Sequence, residues 1–199
     1  GSIGLILAIQ REPPLSAFGQ KDKIANIVGI AIFRELGPLI AEIVLTGFAG
    51  AAIAAELGTM VVGEEIEALE AHALNPIRFL AVPRVLATVV SLTLLTVIAD
   101  VVAILSAGFV SITLLGVPYE LYLSNTLEQV ALADFLTGLL KASVFGMILA
   151  SIACYNGFKV SGGAAGVGKA TTDTVVQSIV TIVIADLLFT TIFYQFGWT

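Results

Sequence analysis

The sequence predicts an all-α fold, a polytopic transmembrane helical bundle, and three observations lead there. Of the 199 residues, 58% are hydrophobic and 12% charged, against roughly 25% charged in ordinary soluble domains. The mean hydropathy is +1.03. Several apolar runs reach or exceed the roughly 20 residues with which a helix crosses a bilayer core. These features predict about five spans, the first truncated, within one domain covering residues 1–199. The nine basic residues are scattered along the chain, so nothing points to nucleic acid. The net charge of −6 is concentrated in a few places and says little about partners.

The elements follow in order. Gly1–Gln10 reads as the tail of a membrane helix, since it lacks the basic flank and cleavage pattern of a signal peptide. Arg11–Lys23, which contains two prolines, reads as a polar connection. Ile24 to about Met60 is apolar except for Arg34–Pro38, and is too long for a hydrocarbon core of roughly 30 Å. It must tilt, kink or project, and Gly37-Pro38 is the expected kink. Val85 to about Leu115 is the next span, Gly116–Gln129 a connection, and Val130–Tyr155 another span. A glycine-rich loop, Asn156–Lys169, then leads into a final span from Thr171 to about Phe196, with Thr171 or Thr172 expected to cap it. Lys and Arg numbers on the two sides are too even to orient the chain by the positive-inside rule.

Between the second and third spans lies a segment of different character, GEEIEALEAHALNPIRFLAVPR (Gly63–Arg84). Ile66, Leu69 and Ala73 recur at helical spacing while Glu65, Glu67 and Glu70 fall off that line, which predicts an amphipathic helix over about 64–74. Glutamates in the first turn suit the positive end of the helix dipole, and Asn75-Pro76 is expected to end the helix. The segment is too short and too charged to span a membrane. It is either a solvated connector or a helix outside the bilayer that engages a soluble partner.

Charges recur inside or near the spans at Arg34, Glu35, Glu42, Glu56, Asp100, Lys141 and Asp186. Each costs about 2.5–3.5 kcal/mol at a helix centre on insertion scales, so such groups face one another or a wet cavity. The similar expected depths of Lys141 and Asp186 or Asp100 suggest pairing. Gly47, Gly50, Ala51, Ala54 and Ala55 form a smooth face suited to close helix approach, either within the chain or between two copies. GAAGVGKA (Gly163–Ala170) nearly matches a phosphate-binding loop, but Ala170 replaces the hydroxyl that ligates magnesium. His72 is the only histidine and Cys154 the only cysteine. Hence neither a metal site nor a catalytic triad is expected, and Cys154 reads as a buried thiol.

Three stretches, FRELGPLIAEIVLTGFAGAAIAAELGTM, EEIEALEAHALNPIRFLAVPRVLA and GVGKATTDTVVQSIVTIVIADLLFTTIF, resemble the MlaE/YrbE-type permeases. The likeness runs from about Gly4 onward and keeps the blocks in order. It implies a non-enzymatic membrane subunit of an ABC transporter that moves phospholipid or related lipid between membranes. The implied partners are a separate ATPase holding ATP and magnesium, a second permease copy forming a homodimer, and an MCE-domain protein on the periplasmic face. The implied location is a bacterial inner membrane, with a chloroplast inner envelope second. The resemblance makes the acidic segment a cytoplasmic coupling helix, its contacts falling on Glu64, Glu65, Ile66, Glu67, Ala68, Leu69, Glu70, Pro76 and Arg78. Candidates for the substrate cavity or gate are Glu42, Gly47, Phe48, Gly50, Glu56, Lys141 and Asp186. Two departures stand out. Phe48 occupies a position where the family often carries arginine, and Asn75 replaces its usual aspartate. The competing expectations are a stand-alone secondary transporter or channel, whose intramembrane carboxylates would carry protons, and a purely structural membrane scaffold.

Overall fold

A computed structural model describes Ile6 and residues 35–113, 116–129 and 132–195. The clipped first span, the Arg11–Lys23 connection, Arg34 and the beginning of the second expected span lie outside the described residues. Every regular element among the described residues is helical. Helix α1 (Gly37–Leu45) and helix α2 (Ala51–Val62) are joined without a break by a widened π-helical turn, Thr46–Gly50. Helix α3 (Glu65–Ala71) is short. A second widened turn, Ile77–Ala81, opens helix α4 (Val82–Thr113). Helices α5 (Tyr119–Gln129), α6 (Leu132–Phe158) and α7 (Gly163–Gln195) complete the chain.

Among the described residues, four continuous helical stretches are long and apolar enough to cross a membrane: Gly37–Val62, Ile77–Thr113, Leu132–Phe158 and Gly163–Phe193. The longest has 37 residues, about 55 Å of helix, so it tilts within the bilayer or projects beyond it. Exposed large apolar side chains cover these stretches. Leu86, Val90, Leu94 and Ile98 form one such stripe on α4 and Val176, Val180, Val183 and Leu187 another on α7. In water such stripes would be an aggregation hazard; in a bilayer they are the surface that hydrocarbon solvates. The chain is a multi-pass membrane protein.

The described residues cluster into two compact units, one of Leu39–Leu94 with Lys141–Phe193 and one built on Leu95–Leu140. In the first unit, small residues set the helix spacing. A Cβ added at Gly157 of α6 would lie 2.7 Å from the Leu57 Cβ and 3.2 Å from the Ala54 carbonyl oxygen, so α2 and α6 touch nearly backbone to backbone. Gly50 would meet Leu149, and Gly58 would meet Val160. Polar ties add direction: Thr93 and Ser143 hydroxyls lie 3.0 Å apart, and the Asn156 amide donates to Thr174 and Gln177. Phe145, Phe189 and Phe193 form a chain of ring contacts. In the second unit, the Tyr122 hydroxyl on α5 donates to the Ile104 carbonyl of α4, at 3.0 Å. Its ring fills the space that a side chain at Gly108 would need.

Two elements differ from the sequence-based expectation. The segment expected as a connection, Gly116–Gln129, is helical from Tyr119. The final helix starts at Gly163, eight residues before Thr171. Gly162 and Gly163 take the left-handed conformation (φ 86° and 68°) that turns the chain into it. A side chain at Gly166 would collide with the Ser161 carbonyl. Thr171 and Thr172 therefore lie inside the helix and donate back to the Val167 and Gly168 carbonyls. The glycines mark the helix's beginning because its first turn packs against the incoming chain.

Candidate functional site

The acidic helix is built as a rod held at both ends. Glu64 adopts the left-handed conformation (φ 60°). Its amide donates to Val61 O, closing α2, while its carbonyl accepts from Ala68 N–H, opening α3. One residue thus ends one helix and starts the next. At the far end Ala73 is also left-handed (φ 58°), with Ala73 N–H donating to Glu70 O and Leu74 N–H to Leu69 O. This is the Schellman pattern of paired capping bonds. The rod is shorter than the expected 64–74 helix, because it ends in this cap at Ala71 and not at the proline. Asn75-Pro76 does the opposite of what the sequence-based reading assigned to it. The Asn75 side-chain oxygen accepts from Ile77 N–H (3.0 Å) and Arg78 N–H (3.2 Å). It is the cap of the next helix, with proline at the first helical position, where its missing N–H costs nothing.

The faces of α3 are distinct. Ile66 and Leu69 are half-buried against a cluster of Leu57, Leu80, Ala81 and Cys154. Glu64, Glu65, Glu67, Ala68 and Glu70 are exposed, as is Arg78, whereas Pro76 is half-buried. Around the acidic face, Leu74, Ile77 and Phe79 are 45%, 61% and 59% exposed. The helix thus has a charged outer face and is followed in the chain by exposed apolar side chains. The His72 Nδ1 lies 2.7 Å from the Ala68 carbonyl oxygen, so the ring is tied to its own helix. Just beyond α6, Lys159 contacts the Tyr155 hydroxyl at 2.9 Å, and this hydrogen bond raises the lysine pKa.

The expected intramembrane residues fall into separate groups. Lys141 is 1% exposed, and its ammonium donates to Asp186 Oδ1 and to the Thr190 hydroxyl, both at 2.9 Å. Of the two partners the sequence offered, the structure sets Asp186 against it. Glu56, by contrast, is 63% exposed along its side chain and meets Arg84 at 3.2 Å. Glu42 is fully buried; it accepts from the Thr46 hydroxyl at 3.3 Å, while its Oε2 has no hydrogen-bond partner among the described residues. Asp100 Oδ1 is likewise buried without one. Gly50 is buried between Leu149 and Thr174, whereas among the described residues nothing lies within 4 Å of a Cβ at Gly47, and Phe48 is 79% exposed. The smooth face therefore divides. Gly50 and Ala54 pack within the chain, and the Gly47–Phe48 side remains open. Sequence reasoning missed Arg84 as the partner of Glu56, for which 28 residues of separation leave no local signal. It also missed Thr190 and Thr46, each four residues beyond a carboxylate.

The comparisons agree with this architecture. A family model described as Permease MlaE matches residues 1–192. The chain is 38% identical over 192 residues to a probable ABC transporter permease protein of Rickettsia typhi, covering 96% of this chain and 74% of that one. A probable ABC transporter permease protein of Synechocystis is 33% identical over 195 residues, 98% of this chain and 74% of the relative. The protein named TRIGALACTOSYLDIACYLGLYCEROL 1, chloroplastic, of Arabidopsis thaliana is 35% identical over 193 residues, 97% of this chain and 55% of that protein. With a match along nearly its whole length and an all-helical membrane architecture to go with it, the chain belongs to the MlaE permease family.

Proposed function

We propose that this permease is the membrane subunit of an ABC transporter that moves phospholipid or a related lipid between membranes. ATP and magnesium would be held by a separate ATPase beneath it. Two permease copies would form the transport cavity, and an MCE-domain protein would sit on the outer face of a bacterial inner membrane. The observation that carries this reading is α3. Its glutamates are exposed, its apolar residues are packed on the ends of the spans, and an apolar rim of exposed Leu74, Ile77 and Phe79 follows it in the chain. A solvated connector needs neither the apolar rim nor two left-handed residues to fix its ends. The name of the Arabidopsis relative, which contains that of a galactolipid, supports a lipid as cargo. The open Gly47–Phe48 side is the part of the smooth face available to a second copy.

A competing reading is a proton-coupled transporter acting alone, favoured by the buried Oε2 of Glu42, which has no hydrogen-bond partner among the described residues. Purification separates the two. The complex is expected to carry an ATPase subunit that is lost, together with lipid transfer, in Glu65→Lys/Glu67→Lys, while the variant permease remains folded in the membrane. Retained ATPase and unchanged lipid transfer in that variant would count decisively against coupling through α3.

A further inference from the structure

Two cavities meet at the polar end of α6, and they differ in kind. One, of about 830 Å³, is walled by Ile77, Val82, Val85 and Leu86 on the α4 side and by Cys154 and Phe158 on the α6 side. Its size is within the range of small-molecule sites, roughly 300–1,000 Å³. The other, of about 450 Å³, is a polar cleft that includes Ser161, Lys169, Asp173 and Gln177. The two share Tyr155 and Lys159. A ligand lying across them would be apolar along one part and anionic at the other.

The apolar cavity opens where lipid is expected. Leu86, 61% exposed, begins the stripe that continues through Val90 and Leu94, while Met147, Ser151 and Tyr155 are the exposed positions of α6 beside it. Leu86 and Ser151 line the cavity, and both stripes belong to helices long and apolar enough to cross a membrane, which gives an acyl chain a route to it along the lipid-facing side. At the other end, Lys159 is held by the Tyr155 hydroxyl and lies 5.1 Å from its ring centroid. The Tyr155 hydroxyl thus steadies one ammonium at the junction of the two cavities. Lys169 supplies a second cation. Asp173 in the cleft and Glu70 at the polar margin of the apolar cavity favour a head that also carries an ammonium over one with additional negative charge.

We propose that these joined cavities hold one resident phospholipid, its tail against Val82, Val85 and Leu86 and its phosphate at Lys159 and Lys169, with preference for an ethanolamine head. This lipid is distinct from transported cargo, and the proposal rests only on the chain crossing a membrane, not on the ATPase reading. Native mass spectrometry of the purified permease, equilibrated with vesicles of defined composition, tests it. One phosphatidylethanolamine per chain is expected, retained about threefold over phosphatidylglycerol, with diacylglycerol, which lacks phosphate, not retained. Both lysines are exposed, so Lys159→Ala/Lys169→Ala should fold normally and lose retention by about three- to tenfold. As a second measurement, Cys154, the chain's only cysteine, is expected to label more slowly with a hydrophobic maleimide when phosphatidylethanolamine is present. Equal retention of diacylglycerol, retention indifferent to the lysines, or a photo-crosslinker at Leu86 that captures protein in place of lipid would each overturn the proposal.

Discussion

The Lys141–Asp186 contact is the sharpest place to test the energetics. Lys141 has 2% of its side chain exposed and Asp186 has 17%, with the charged atoms 2.9 Å apart. Removing one partner of a buried pair costs about 3–5 kcal/mol, because the survivor is left charged in a poorly polarisable surrounding. Both single variants are expected to lose about 3–5 kcal/mol. Asp186→Asn takes the carboxylate from an ammonium that keeps its Thr190 hydrogen bond but has almost no access to solvent. Lys141→Met leaves a carboxylate whose exposed part, inside a span, meets hydrocarbon and not water. The pair Lys141→Met/Asp186→Leu removes both charges and is expected to recover most of the loss, since apolar replacement of both partners is often neutral. At about 2–4 °C per kcal/mol for a chain of this size, Asp186→Asn lowers the midpoint of detergent-solubilised thermal unfolding by about 6–20 °C. Single variants that each melt within 2 °C of the parent, or a double variant no better than Asp186→Asn, would refute the reasoning.

Four further outcomes are expected in the same unfolding assay. Asn75→Ala removes the acceptor for two N–H groups and should cost about 0.5–2 kcal/mol, whereas Asn75→Asp keeps the cap and should be nearly neutral. Ala73→Gly relieves the left-handed strain at φ 58° and is expected to stabilise by about 1 kcal/mol, the opposite sign from an ordinary helix substitution to glycine. Gly157→Ala drives a methyl to within 2.7 Å of Leu57 and should cost about 1–3 kcal/mol. A Cβ at Gly47 would meet nothing within 4 Å among the described residues, so Gly47→Ala should leave the melting of the single chain unchanged while weakening a dimer that uses that side, as read by size-exclusion chromatography.

What was legible in the sequence was whatever depends on composition and short spacing. The apolar runs gave the spans, and the alternation of Ile66 and Leu69 with glutamates gave the faces of α3. Boundaries went astray where tertiary contact overrides local signals. Asn75-Pro76 carries the same residues whether it stops one helix or starts another. Only the Schellman bonds at Ala73 and Leu74, made possible by a left-handed alanine, decide that it starts α4. The glycines before Thr171 looked like a loop, yet Gly166 is needed within a helix because the Ser161 carbonyl presses on it. The charges show the same division. Lys141 and Asp186 could be paired from expected depth, but the Arg84–Glu56 contact could not, since nothing local to either residue encodes the packing of α2 beside the start of α4.

That packing bears on how a push from below would travel under the proposed function. Ile66 and Leu69 of α3 pack on Leu57 from α2 and on Leu80 and Ala81 at the entry to α4, with Cys154 of α6 in the same cluster. Three spans therefore converge on the underside of one seven-residue rod. Because Glu64 and Ala73 fix its ends with backbone hydrogen bonds, the rod resists rotating alone, and displacement passes into the cluster. Upward along α2, the first irregularity that the displacement meets is the widened turn Thr46–Gly50, which begins four residues beyond the buried Glu42. A π-helical turn is a common mark of a functional site in an otherwise regular helix. On this path Glu42 and Gly47 act where the span yields, and Ile66 and Leu69 where it is gripped. Leu69→Ala should accordingly weaken transport more than it weakens ATPase binding, because it loosens the grip while leaving the acidic face intact.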